Sequence, residues 1–276
     1  GGAGWFPTKF RPQDTNSQEE RTQAAYGMLF FENDSLLGGR VLDGNVGVRI
    51  VKTSSRSEGF GQIPNLSNNL NLTQEVRDQF DGSYFGFQSR GSYTDVLPSL
   101  NTRVRLTDTL QWRFAASKAI ARPDFRLMMS WLPLTANIDD SCQPPVPPPA
   151  PGTWPGCGIE YVNGAPVSAG NPNLQPMRAN QFDTALEWYF GPTNMLYATL
   201  FYKDVKGYFV SETRDEEIDG ITYPVTRPQN LDSGKIQGFE LGYNQFFDFL
   251  PGWMKGFGVQ ANYTFIDSNA STIAAN

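Results

Sequence analysis

The sequence predicts an all-β fold, an antiparallel transmembrane β-barrel section of about eight strands, and three observations carry that expectation. Segments with strand character are joined alternately by short turns and long loops. Apolar and polar residues alternate along them with a period of two. Aromatic residues gather beside the short turns. Outer-membrane barrels pair short turns at one end with longer loops at the other, whereas soluble sandwiches mix loop lengths at both ends.

Strands are expected at 21–32, 39–53, 93–106, 110–121, 180–190, 195–210, 235–249 and 256–267. Short joints fall at Asn33-Asp34-Ser35, Thr107-Asp108, Gly191-Pro192-Thr193 and Pro251-Gly252, and long loops are expected at 54–92, 122–179 and 211–234. The alternation is plain strand by strand. Phe182, Thr184, Leu186, Trp188 and Phe190 oppose Gln181, Asp183, Ala185, Glu187 and Tyr189. Phe257, Val259, Ala261, Tyr263 and Phe265 oppose Gly258, Gln260, Asn262 and Thr264, and Phe239, Leu241 and Tyr243 oppose Glu240, Gly242 and Asn244. In the strand after Tyr93, Val96, Leu100, Val104 and Leu106 oppose Asp95, Ser99, Asn101, Arg103 and Arg105. Alternation alone fits both a soluble and a membrane barrel, since the apolar face points inwards in one and outwards in the other. The aromatics Trp188, Phe190, Phe246, Phe247, Phe249 and Trp253 beside the short turns favour the membrane, where amphipathic rings form a girdle at headgroup level. The polar face, with Arg103, Arg113, Asp183, Glu187 and Glu240, would then line a wide lumen.

Composition narrows the class. Mean hydropathy is −0.41 and no apolar run reaches the length of a spanning helix, but barrel strands dilute the apolar signal by alternation. Gly 27, Phe 20, Tyr 11 and Trp 6 suit such strands. A net charge of −6 and a pI near 4.8 argue against nucleic acid as a partner, because phosphate binding needs clustered Lys and Arg. The chain opens on Gly1 and closes on Ala274-Ala275-Asn276 rather than on a strand, so it is expected to be a section of a longer barrel.

The longest loop holds a proline tract at 144–151, bracketed by the two cysteines of the chain, Cys142 and Cys157. In an oxidising compartment that pair reads as a disulfide clamping the loop, worth about 3 kcal/mol in the chain-entropy model. A metal or redox pair would lack supporting ligands, because the chain has no histidine; no metal and no cofactor are expected. The acidic run Asp215-Glu216-Glu217-Ile218-Asp219-Gly220 lacks the spacing of an EF-hand and reads as a solvated tip with an Asp-Gly turn. There is no Gly-x-Ser-x-Gly elbow, phosphate loop or His-Glu-x-x-His motif. The paired carboxylates Asp139-Asp140 and Glu216-Glu217 could serve a glycosidase only on paper. An enzyme is not expected.

Several strand sequences resemble those of a known family. Tyr93-Thr94-Asp95-Val96-Leu97-Pro98-Ser99-Leu100-Asn101, followed by Ala119-Ile120-Ala121-Arg122-Pro123-Asp124-Phe125, resembles the barrel domain of TonB-dependent outer-membrane receptors. Asn171-Pro172-Asn173-Leu174-Gln175-Pro176 is similar to the family's Asn-Pro-x-Leu-x-Pro-Glu element, with Met177 in place of the acid. Phe201-Tyr202-Lys203-Asp204-Val205-Lys206 and Gly238-Phe239-Glu240-Leu241 add to the set, in matching order. The resemblance implies a barrel of roughly 22 strands closed by a plug, of which this chain would supply about eight strands. It implies uptake of a small-molecule nutrient through the bacterial outer membrane, energised by the TonB complex acting on the plug. Plug, TonB box and final strands have no counterpart here. The implied partners are the nutrient, outer-membrane lipid and, through the plug, TonB.

Ligand contacts in such a receptor would come from the loops: Trp131, Trp154, Tyr161, Tyr208 and Tyr223, with Asp139, Asp140, Arg126 and Arg214 nearby. For each aromatic the competing role is packing within the loop. An acidic chain with many loop aromatics leans towards a neutral oligosaccharide, with a ferric siderophore next. Two other classes compete: a small closed eight-stranded barrel acting as an adhesin or structural protein, and a soluble carbohydrate-binding or hydrolytic β-protein.

Overall fold

Eight long antiparallel strands follow one another around a single sheet in a computed structural model that describes residues 15–34, 38–138, 157–159 and 162–270. They are β1 (Ser17–Asn33), β2 (Leu42–Gln62), β3 (Tyr84–Arg105), β4 (Leu110–Ala121), β9 (Met177–Tyr189), β10 (Met195–Ile218), β11 (Ile221–Phe246) and β12 (Gly258–Ala270). A short helix, α1 (Gln74–Gln79), sits between β2 and β3. The long connection after β4 carries β5 (Trp131–Pro133), β6 (Ala136–Asn137), β7 (Asn163–Gly164) and β8 (Val167–Ser168). Each long strand pairs with its sequence neighbours, and β1 and β12 form the two ends of the path. The sheet is an open section, which removes the expectation of a small closed eight-stranded barrel.

Register places the faces as the alternation requires. Asp43 lies opposite Arg103, Arg103 opposite Arg113, Arg113 opposite Ala185, Ala185 opposite Thr199 and Thr199 opposite Glu240. A single row therefore crosses six strands on the polar face. The opposite face exposes Val46, Val48, Ile50, Val96, Phe182, Leu186, Leu200, Leu241, Tyr263 and Phe265. Near the short turns that face carries rings in mutual contact, with Trp188 to Phe190 at 5.0 Å and Phe190 to Tyr243 at 6.0 Å between centroids. Trp253 and Phe257 meet at 5.7 Å beyond the end of β11.

The structure corrects the extent of the strands at the other end. Residues 54–62, 84–92, 211–218 and 221–234, read as loop from sequence, continue the ladders of β2, β3, β10 and β11. β10 runs for 24 residues, more than twice the 9–11 that a tilted membrane strand needs. Its connection to β11 is a two-residue turn instead of a long loop. Asp219 at φ 52° and Gly220 at φ 75° both occupy the left-handed region, the geometry of a type I′ hairpin. The acidic run is thus mostly strand, and Glu216 in it pairs with Arg227 at 2.7 Å.

These strand extensions, α1 and the long connection share one apolar core. Leu72, Val76 and Phe80 from the α1 region pack with Leu132, Leu134, Val162 and Val167 from the connection and with Ile221, Tyr223 and Val225 from β11. Thr73 caps α1 by accepting from the Val76 amide. β5 pairs with β2 at Phe60–Gln62, just past the point where β1 ends, and β8 pairs with β11 at Val225–Thr226, past the end of β12. Edges left open above the wall are covered in this way.

Leu200 is 58% exposed on the apolar face, while its neighbour Thr199 lies in the polar row. Leu200→Arg is expected to weaken folding into lipid vesicles by ~2–4 kcal/mol, and Thr199→Arg by much less. Equal losses in urea titrations of the two variants would contradict this assignment of faces.

Candidate functional site

Two places gather polar side chains. The first is the row on the polar face. Arg103 makes a forked contact with Asp43, Nε at 3.1 and 3.0 Å from the two carboxylate oxygens and Nη2 at 2.9 Å. Arg113 reaches Glu187 at 3.1 Å, and the Tyr189 hydroxyl donates to Glu187 at 2.8 Å. Gln111 also donates to Glu187. Arg103 and Arg113 face each other across β3 and β4, an unfavourable pairing of like charges that Asp43 and Glu187 offset. The Tyr197 hydroxyl donates to Glu240 at 2.7 Å. Arg103, Arg113 and Asp183 line a shallow pocket of about 470 Å³ together with Asp43, Asn45 and Asn101. All five polar-face candidates therefore lie in or beside one row.

Farther along the wall, Asp95 is 3% exposed and bonded to Arg178 at 2.6 Å, with its second oxygen lacking a hydrogen-bond partner among the described residues. Arg122 pairs with Glu20 at 3.3 Å.

The second place is a cleft of about 510 Å³ under the apolar core. One wall is the connection after β4, with Arg126, Leu127, Met129 and Trp131. The other is Ser168, Ala169 and Gly170 with Ser211 of β10 and Thr226 and Pro228 of β11. Residues 128–130 of the connection are held tightly. The Ser130 hydroxyl donates to that of Ser57 at 2.7 Å, and Ser57 donates to the Met128 carbonyl at 3.3 Å. Two glycines permit this approach: a Cβ on Gly59 would stand 1.6 Å from the Ser130 carbonyl oxygen, and one on Gly170 would stand 2.2 Å from that of Met129. On the far wall Arg227 donates to the Gly170 carbonyl at 2.6 Å, and the Asn171 amide group donates to the Pro228 carbonyl at 2.9 Å.

A family model described as "TonB dependent receptor-like, beta-barrel" matches residues 2–276. The chain belongs to the TonB-dependent receptor β-barrel family. It is accordingly a bacterial outer-membrane protein, and its wall is a section of a transmembrane barrel. Similar solved structures include the ferric yersiniabactin uptake receptor FyuA from Yersinia pestis, at 17% identity and TM-score 0.48, covering 92% of this chain and 27% of that one. The copper transporter OprC matches at 16% identity and TM-score 0.48 over 91% of this chain and 30% of its own. The siderophore receptor PirA from Pseudomonas aeruginosa matches at 11% identity and TM-score 0.42, over 91% and 41%. The chain thus spans less than half the length of each of these. No curated protein matches it.

The receptor element Asn171–Pro176 delivers the chain into β9. Asn171 accepts from the Asn173 amide at 3.0 Å, and Leu174 and Pro176 are buried. Asn230 of β11 accepts from the Gln175 amide at 2.7 Å and donates to the Gln175 and Gly207 carbonyls at 2.8 and 3.0 Å. Met177, where the family pattern has an acid, begins β9.

The loop candidates separate. Trp131 stands 47% exposed in the cleft wall with Arg126 beside it. Tyr223 is 1% exposed within the apolar core, where burial and the Asp219 carboxylate push its hydroxyl pKa up. It offers no surface to a ligand and serves packing. Tyr208 is half-buried, its ring against Gly234, and Arg214 is tied to Glu212 at 2.7 Å; neither lines the cleft. Asp139, Asp140, Trp154, Tyr161 and Cys142 lie outside the described residues. Cys157 is disulfide-bonded. Sequence reasoning missed Ser168, Ser211 and Thr226, hydroxyl residues with no distinguishing spacing.

Tyr223→Ala is expected to destabilise the apolar core by ~3–5 kcal/mol and to raise proteolytic cleavage around α1 while the wall strands stay protected. Arg178→Leu leaves Asp95 buried and unpaired and should cost on the order of 2–4 kcal/mol, more than Arg178→Leu combined with Asp95→Asn. Thermal unfolding in detergent would read both, and a double variant less stable than the single would contradict the pairing.

Proposed function

We propose that this chain forms part of the wall and outer mouth of a receptor that takes up a scarce nutrient across the outer membrane. In this reading the row of Arg103, Arg113, Asp183, Glu187 and Glu240 lines the lumen. The cleft holding Trp131 contacts the incoming ligand. The energy for transport comes from the inner-membrane proton gradient, delivered by the TonB complex through a plug domain.

An oligosaccharide is favoured over a ferric siderophore. The observation that carries this preference is the chemistry of the cleft, whose described residues offer one exposed indole, hydroxyls from Ser168, Ser211 and Thr226, the amide of Asn16 and a single cation. Sugar rings stack an apolar face on an aromatic and spend their hydroxyls on such small polar groups. A multiply anionic chelate would call for more than one guanidinium. Trp131→Ala is expected to lower saccharide uptake by cells roughly tenfold or more, the loss expected of an aromatic anchor, with receptor abundance unchanged. Uptake unaltered by the substitution would remove the cleft from the transport path.

A further inference from the structure

We infer that the saccharide taken by this cleft is acidic, a sugar acid whose carboxylate is met by Arg126 while a neighbouring ring lies on Trp131. This inference rests on the uptake reading above and narrows its substrate.

The argument turns on which arginines are already committed. Arg103, Arg113, Arg122, Arg178, Arg214 and Arg227 each have a carboxylate partner within 3.3 Å. Arg126 has none among the described residues. Its backbone amide donates to Asp124 at 2.8 Å, and the residue is exposed and lines the cleft. Among the described residues no Asp or Glu lines the cleft. Its described residues therefore present one positive charge without a carboxylate partner, on a chain whose net charge is −6.

The walls are fixed before any ligand arrives. Trp131 opens β5 and pairs with Phe60 through the backbone, so its exposed ring is carried on a strand rather than on a free loop. The segment leading to it is pinned by Ser57, Ser130 and the two close glycine approaches. On the opposite wall, Arg227 is bonded both to Glu216 and to the Gly170 carbonyl, so it holds the wall in place and is not itself free for an anion. Arg126 is the cation left to recognise charge. A planar guanidinium matches a carboxylate in a two-point, charge-assisted contact, whereas a neutral sugar would offer it only the weaker hydroxyl acceptors.

The test is equilibrium binding to the purified, detergent-solubilised protein, followed by tryptophan fluorescence and calorimetry. The probes are a trisaccharide carrying a single terminal uronic acid, the neutral maltotriose and a ferric catecholate chelate. The acidic trimer is expected to bind more tightly than maltotriose, with an affinity that falls as salt rises. Arg126→Gln should weaken the acidic trimer roughly ten- to hundredfold, to the level of the neutral sugar, and Arg126→Lys should recover part of the loss. Trp131→Ala should weaken both sugars. Equal binding of the two sugars, insensitive to Arg126→Gln, would overturn the acidic assignment and leave the saccharide reading standing. Binding of the ferric chelate with neither sugar bound would overturn the saccharide reading itself.

Discussion

Inside a bilayer no water is available to a bare amide or carbonyl, so every backbone polar group of a spanning strand must be paired with a neighbouring strand. The rest of this structure follows from that constraint. An unbroken antiparallel register runs from β1 to β12, and register in turn decides which side chains face lipid and which face inwards. The polar row from Asp43 to Glu240 is its product: its members come from six strands, and the ladder aligns them. Two of the charges placed there come ready paired, Arg103 with Asp43 and Arg113 with Glu187, which offsets the repulsion between the facing arginines.

Above the wall the governing force changes from hydrogen-bond satisfaction to burial of apolar surface. The extended hairpins no longer have lipid on one side, and α1, β5 and β8 supply a covering of Leu72, Phe80, Leu132 and Val167 against Tyr223 and Val225. The described parts of the connection after β4 thus tie it to β2 through β5 and to β11 through β8, and the cleft with Arg126 and Trp131 lies between these attachments.

The sequence made the lower half legible because period-two alternation there is uninterrupted. All eight long strands and their order are readable from residues such as Phe182, Leu186 and Trp188 set against Asp183 and Glu187. The upper halves were not, because Gly59, Gly61, Gly86 and Gly91 in β2 and β3, and Pro224 and Pro228 in β11, are turn formers by local propensity. Partner strands overrode that propensity. At the site, Trp131 stood out as an aromatic in a long connection, and so did Tyr223, though one is exposed and the other buried. Nothing local distinguishes them; the difference arises from which face of a distant strand packs against the core. Ser168, Ser211 and Thr226 carry no signal of their own, since hydroxyls acquire meaning only when the fold brings them to one cleft.

The Asp219-Gly220 turn restricts how this receptor's outer surface can diversify. With only two residues at the tip and a continuous ladder below it, the hairpin has no slack to absorb an insertion. One extra residue in either arm would exchange core and solvent faces for everything beyond it, moving Tyr223 and Val225 out of the packing. Length variation among descendants of this chain is therefore quantised, arriving as matched additions to both arms in steps of two.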